Sequence, residues 1–173
     1  MKIGLTGTMS VGKSTLAKAL GEIDQFKDYE TATERSKYLR DQGISLNTDS
    51  TLKGQLVFAA ERSIELMKPN IITDRTIYDV SAFTLSAKSI MWTEKRYFTE
   101  ILMSLRDEYD VIIYVSPEGV DIEDNGVRTI DAKYREQIDT TIQSMLLEYP
   151  PKKLIRVSGS TEERINTIIS QLN

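Results

Sequence analysis

Short apolar runs alternate with longer stretches of helical spacing along the whole chain. Lys2 to Thr6, Tyr29-Glu30-Thr31, Ile71-Ile72-Thr73-Asp74, Asp110 to Val115 and Lys153 to Val157 read as strands, being brief, largely β-branched and bounded by turn residues or charges. The fourth is nearly continuous in apolar residues, as a parallel strand covered on both faces should be. Helices are predicted between them. Leu16 to Leu20 continues a first helix, and Thr33 caps Glu34 to Arg40. After Asp49 or Ser50, the residues Leu52, Leu56, Phe58, Ala59, Ile64 and Met67 recur at roughly helical intervals until Pro69-Asn70. Arg75 to Ser89 reads as helical or mixed, and Thr93 to Tyr109 as a helix with Tyr97, Ile101, Leu102 and Leu105 on one side. Further helices run from Asp131 to about Tyr149 and from Thr161-Glu162-Glu163 to Leu172. Every interval between strands has room for a crossover helix. The pattern predicts an α/β three-layer sandwich with a five-stranded parallel sheet, its strands starting near residues 2, 28, 70, 110 and 153, in one domain spanning 1–173.

The first strand runs straight into Gly7-Thr8-Met9-Ser10-Val11-Gly12-Lys13-Ser14-Thr15, which has the form G-x-x-x-x-G-K-[ST]. Glycines let successive backbone N–H groups curl around phosphates, and the helix that follows adds its positive end. Lys13 is expected to reach the β- and γ-phosphates, and Ser14 to give its hydroxyl to Mg²⁺. All nine residues are therefore assigned to the nucleotide.

Composition narrows the chemistry. The 173 residues carry 22 Lys and Arg against 26 Asp and Glu, a net charge of −4, which argues against nucleic-acid binding over a broad basic face. Cysteine is absent, which removes disulfides, thiolate nucleophiles and Cys-ligated zinc and points to a reducing, cytoplasmic setting. With no histidine either, acid and base work falls to carboxylates, lysine, tyrosine or the substrate. No run reaches the roughly twenty apolar residues that span a bilayer, and the N-terminus has no signal-peptide pattern.

Ligands of such sheets sit beyond the carboxyl ends of the strands, where Gly7, Glu30, Asp74 and Ser116 are expected. Asp74 there would hold Mg²⁺ with Ser14 or polarise a nucleophile. Arg75 beside it would clamp an acceptor phosphate, and Asp79 would orient the acceptor or bind a sugar hydroxyl. Glu30 is a general-base candidate for a hydroxyl acceptor. Gln55 could read a base edge with its amide, and Arg35 or Arg62 could add a clamp. Residues 117–135, with the five acids Glu118, Asp121, Glu123, Asp124 and Asp131, two glycines, Arg128 and then Arg135, read as a lid whose Arg128 stabilises the transferring group while Arg135 contacts substrate. Trp92, Tyr78, Phe83, Tyr97 and Phe98 read as core or pocket wall.

On the phosphate loop, Glu30, Asp74-Arg75 and the Arg128/Arg135 segment, the sequence resembles the P-loop nucleoside and nucleotide kinases, in particular thymidylate kinase-like and ribosylnicotinamide kinase-like members. The resemblance implies a five-stranded parallel core, ATP and Mg²⁺ as cofactors, a small nucleoside or nucleotide substrate, and a lid closing over the phosphates. A homodimer is compatible with it. It differs from the pattern in a lid that is acidic and sparse in arginine. The leading expectation is phosphorylation of a nucleoside monophosphate, a deoxynucleotide first. Alternatives are a nucleoside or ribosylnicotinamide kinase with Glu30 as base, a kinase of polynucleotide hydroxyls, and an ATP-dependent switch. The guanine-reading Asn/Thr-Lys-x-Asp pattern is absent, which lowers the GTPase version of the last.

Overall fold

The computed structural model describes residues 1–33, 35–120 and 131–172. Its five strands are β1 (Lys2–Thr6), β2 (Glu30–Ala32), β3 (Ile71–Thr73), β4 (Val111–Val115) and β5 (Leu154–Val157). They form one parallel sheet in the order β2-β3-β1-β4-β5, with Gly4 opposite both Thr73 and Ile112. Because β1 lies in the middle, the loop that leaves it opens at the centre of the sheet's carboxyl edge, where the strand order reverses and ligands of such folds collect.

Side-chain alternation along β4 builds two cores. Val111, Ile113 and Val115 face one side and pack with Ile3, Leu5, Leu16, Leu20 and Ile168, so that α1 (Lys13–Gly21) and α7 (Thr161–Leu172) cover it. Ile112 and Tyr114 face the other, beneath α3 (Leu52–Glu65), α4 (Ile77–Ser86), α5 (Trp92–Met103) and α6 (Ala132–Glu148). A short α2 (Ser36–Asp41) follows β2. Helix α4 is the innermost of these, with every residue from Ile77 to Thr84 buried. Its start is held by a reciprocal cap between Thr76 and Asp79, two buried groups that satisfy each other and the helix end.

Several expectations are corrected. The cap of α3 is Thr51, whose hydroxyl accepts from the Gly54 N–H, one residue beyond Ser50. Helix α2 starts at Ser36 behind Arg35, so Thr33 is not its cap. Helix α5 ends at Met103, and a single 3₁₀ turn, Arg106–Glu108, completes the stretch to Tyr109. Its buried side carries Phe98, Thr99, Leu102 and Met103, while Trp92, Tyr97 and Ile101 are exposed. On α3 the same holds for Leu56 and Ile64, and for Met67 just beyond its end, which face solvent while Phe58 and Ala59 are buried. A helix with apolar residues on more than one face offers several stripes of helical period, and only packing decides which is used.

Candidate active site

The site is built on the loop between β1 and α1. Gly7 must be glycine: a Cβ there would lie 2.6 Å from the carbonyl oxygen of Val115 at the end of β4. Gly12 sits at φ +82°, a left-handed conformation at the start of α1 that side chains disfavour. Between them the chain encloses a cleft of about 280 Å³ lined by Ser10, Val11, Gly12, Lys13, Ser14, Thr15 and Val120. Two cradle members point elsewhere. Thr8 is buried and donates its hydroxyl to the carbonyl of Arg135, 2.9 Å away, and Met9 belongs to the core.

The Lys13 ammonium donates to the carbonyls of Gly7 and Thr8, at 2.6 and 2.8 Å, and lies 3.7 Å from Oδ1 of the buried Asp79. The lysine is thus held across the mouth of its own loop, where anionic oxygens would find it. Ser14 Oγ donates to Oδ2 of Asp74, which is 1 % exposed. Asp74 stands one residue beyond β3, its N–H bonded to the Ala32 carbonyl, so the carboxyl edge of the sheet presents it directly to the loop. A hydroxyl and a carboxylate together fit a small hard cation that keeps most of its waters and takes the rest of its shell from phosphate. Among the described residues no cluster of three acidic side chains forms a closed metal cage.

Beside Asp74, the guanidinium of Arg75 lies over the rings of Phe83 and Phe58, 5.0 and 5.6 Å from their centroids. Tyr134 is tilted against Phe83 at 6.4 Å, and burial raises its phenol against the opposing pull of Arg75. Gln55, 3 % exposed, lies one helical turn before Phe58 on α3. An arginine and three aromatic rings thus meet beside Asp74, groups that suit a planar, hydrogen-bonding ligand.

Other expected residues fall elsewhere. Glu30 begins β2 instead of ending it, opposite Ile71 at the amino edge of the sheet, and pairs with Lys68 at 2.9 Å in solvent. That places it at the start of the strand, away from the end where the phosphate loop opens. Asp79 is fully buried, with Oδ2 taken by the N–H and hydroxyl of Thr76 and Oδ1 facing Lys13. Its place is to cap α4 and hold the lysine, in place of the sugar contact expected. Arg62 is 1 % exposed and bonded to Glu65 at 2.5 Å, and Glu65 also accepts from Thr73 at 2.6 Å. Burial raises the Glu65 carboxyl, with Arg62 and the Thr73 hydroxyl pulling it back down. Arg35 pairs with Glu61 at 3.4 Å. Arg135 turns to the loop: Nε donates to the Met9 carbonyl at 3.2 Å and Nη1 to that of Val120 at 2.7 Å. Arg128 lies outside the described residues.

Sequence reasoning overlooked Arg164, which reaches from α7 to donate to the Val11 carbonyl at 2.7 Å. Nothing in the pattern flags it, since arginine in the first turns of a polar helix usually faces water. Phe58, read only as a periodic apolar position, lies under Arg75, and Tyr134, which the sequence did not single out, lies against Phe83.

Comparison with known proteins agrees with this architecture. A family described as "AAA domain" matches residues 2–164, and the chain belongs to that family. No curated protein matches by sequence. Among solved structures, deoxyadenosine kinase from M. mycoides with the products dCMP and a flexible dCDP superposes with a TM-score of 0.71 at 18 % identity, over 100 % of this chain and 99 % of that one. The same enzyme with bound dCTP gives 0.70 at 21 % identity, with the same coverage. YorR protein from Bacillus subtilis, in complex with phosphorylated GDP, gives 0.58 at 16 % over 99 % and 95 %. The fold is that of the P-loop nucleoside and nucleotide kinases. No described helix is long and apolar enough to cross a membrane.

Proposed function

We propose that the chain is an ATP-dependent kinase that transfers the γ-phosphoryl group to a hydroxyl of a deoxynucleoside. The loop of Gly7 to Thr15 holds the donor's phosphates, Ser14 and Asp74 hold Mg²⁺, and the group of Arg75, Phe58, Phe83, Tyr134 and Gln55 receives the acceptor. Bound Mg²⁺ would neutralise charge on the phosphates. Lys13 sits ready to donate to the β- and γ-oxygens, and Arg75 orients the acceptor. Arg128 is kept in this reading as a cation for the transferring group.

The observation that carries the choice of acceptor is the engagement of the other arginines. A monophosphate acceptor, first expected from the sequence, brings close to two negative charges and calls for paired clamps beyond Arg75. Arg62 is instead buried with Glu65, and Arg35 is paired with Glu61. A neutral nucleoside asks less of the site. Loss of Glu30 as base does not disqualify a hydroxyl, because phosphoryl transfer through a loose transition state depends mostly on position and charge neutralisation. Likeness to the M. mycoides deoxyadenosine kinase supports the same class.

The test is ADP release from Mg-ATP with deoxynucleosides, ribonucleosides, their monophosphates and ribosylnicotinamide, run beside Lys13→Ala. Stimulation by deoxynucleosides that Lys13→Ala abolishes is the expected result. Stimulation by monophosphates alone would move the acceptor class, and none by any acceptor would remove the kinase reading.

A further inference from the structure

Arg164 is 4 % exposed, and its backbone lies in the first turns of α7, 153 residues from the carbonyl it holds. Nη1 donates to the Val11 oxygen at 2.7 Å. Nε has no hydrogen-bond partner and the group no ion pair among the described residues. Burial alone pushes the guanidinium pKa down, with no carboxylate opposing it. A buried cation without a counter-charge is costly, and a merely structural tie to one carbonyl could be made by a neutral donor. The neighbouring cleft is where an anion belongs.

Geometry says what the tie does. Across a planar trans peptide the C=O and the following N–H point in opposite directions, and no cis bond occurs among the described residues. Val11 and Gly12 line the cleft and Arg164 does not. Holding the Val11 oxygen from behind therefore turns the Gly12 N–H forward. Arg135 likewise donates to a carbonyl of the loop two residues earlier, that of Met9.

We propose that Arg164 is a positioning residue for nucleotide phosphates: it presets the Val11–Gly12 peptide with its N–H toward the cleft, and its uncompensated charge takes the bound phosphates as counter-ion. The proposal rests on the loop being a nucleotide site, as the kinase reading requires, and couples the last helix of the chain to the first loop.

Arg164→Met, Arg164→Gln and Arg164→Lys test it in the full-length protein, with ADP affinity measured by titration calorimetry in the absence of any acceptor. We expect Arg164→Met to weaken ADP binding by about ten- to a hundredfold, the range of one charge-assisted contact, and to reduce the rise in melting temperature that ADP produces. Arg164→Lys, which keeps charge and donor, should recover much of the affinity, and Arg164→Gln, which keeps a donor only, should bind more weakly than Arg164→Lys. Loss of melting temperature with ADP affinity unchanged would overturn the proposal. Should Arg164→Met not fold, equal ADP affinity in the Gln and Lys variants would overturn it equally. Because ADP binding is read without acceptor, a chain that binds ADP through Arg164 yet phosphorylates no acceptor would sink the kinase reading and leave this inference standing.

Discussion

Ser14 Oγ donates a hydrogen bond to the buried carboxylate of Asp74, joining the helix that follows the first strand to the residue that follows the third. The two side chains are 60 positions apart, and the order of strands in the sheet alone brings them together. If they share a cation, Asp74→Asn should raise the Mg²⁺ concentration needed for half-maximal activity and lower kcat by roughly a hundredfold or more. Nucleotide binding in EDTA should change little. A variant with unaltered Mg²⁺ dependence would show the carboxylate to be only the partner of Ser14.

Arg75 lies over Phe83 and Phe58, so its planar guanidinium is stacked as well as charged. Arg75→Lys keeps the charge and loses both the stack and the fork of donors. Steady-state kinetics should show kcat/KM for the acceptor falling by about ten- to a hundredfold while KM for ATP stays within a factor of about two.

Asp79 is part of the cap of α4, the most deeply buried helix. Asp79→Ala should cost about 1–3 kcal/mol in urea denaturation, since the Thr76 N–H and hydroxyl lose their acceptor. A variant of full stability whose only defect is a raised acceptor KM would restore the sugar contact expected from sequence.

Glu30 pairs with Lys68 where both side chains are about half exposed. Surface pairs of this kind are worth about 0–1 kcal/mol, so Glu30→Gln should leave kcat within about twofold and the melting temperature nearly unmoved. A hundredfold loss of turnover would return Glu30 to the site.

Burial raises the phenols of Tyr109, Tyr114 and Tyr134, and pushes that of Tyr78 up to about 12, where its hydroxyl donates to the Tyr149 carbonyl at 2.6 Å. A folded-state value above the unfolded one, near 10, means that the native state keeps protons the unfolded chain has lost. The contribution is therefore complete below pH 10 and disappears as pH rises toward 12. Melting temperatures between pH 9 and 12 should fall steeply above 10, and Tyr78→Phe should lessen the slope.

The sheet was legible because parallel strands buried on both faces are written as apolar runs, and the five expected starts fall within two residues of those observed. The edge strand shows the limit. Tyr29-Glu30-Thr31 has too few residues to reveal an alternation, and a shift of one position makes Glu30 the first residue of β2 instead of nearly its last, at the opposite edge of the sheet from the phosphates. On α5 the residues 97, 101 and 98, 102 have the same period, so sequence cannot choose between them. The phosphate loop was legible through its glycines, and Asp74 through the apolar strand before it. Buried arginines were not: Arg62 and Arg164 look like surface residues of polar helices until neighbours cover them. Asp79 carried a readable signal in Thr76-x-x-Asp79, the spacing of a capping pair.

The most direct test of the central claim is product analysis with γ-labelled Mg-ATP and one deoxynucleoside, beside its 5′-monophosphate in a parallel reaction. The account predicts label in the monophosphate formed from the deoxynucleoside, with one ADP released for each, and loss of both in Lys13→Ala. Label that enters a diphosphate from the monophosphate, and none from the deoxynucleoside, would contradict it.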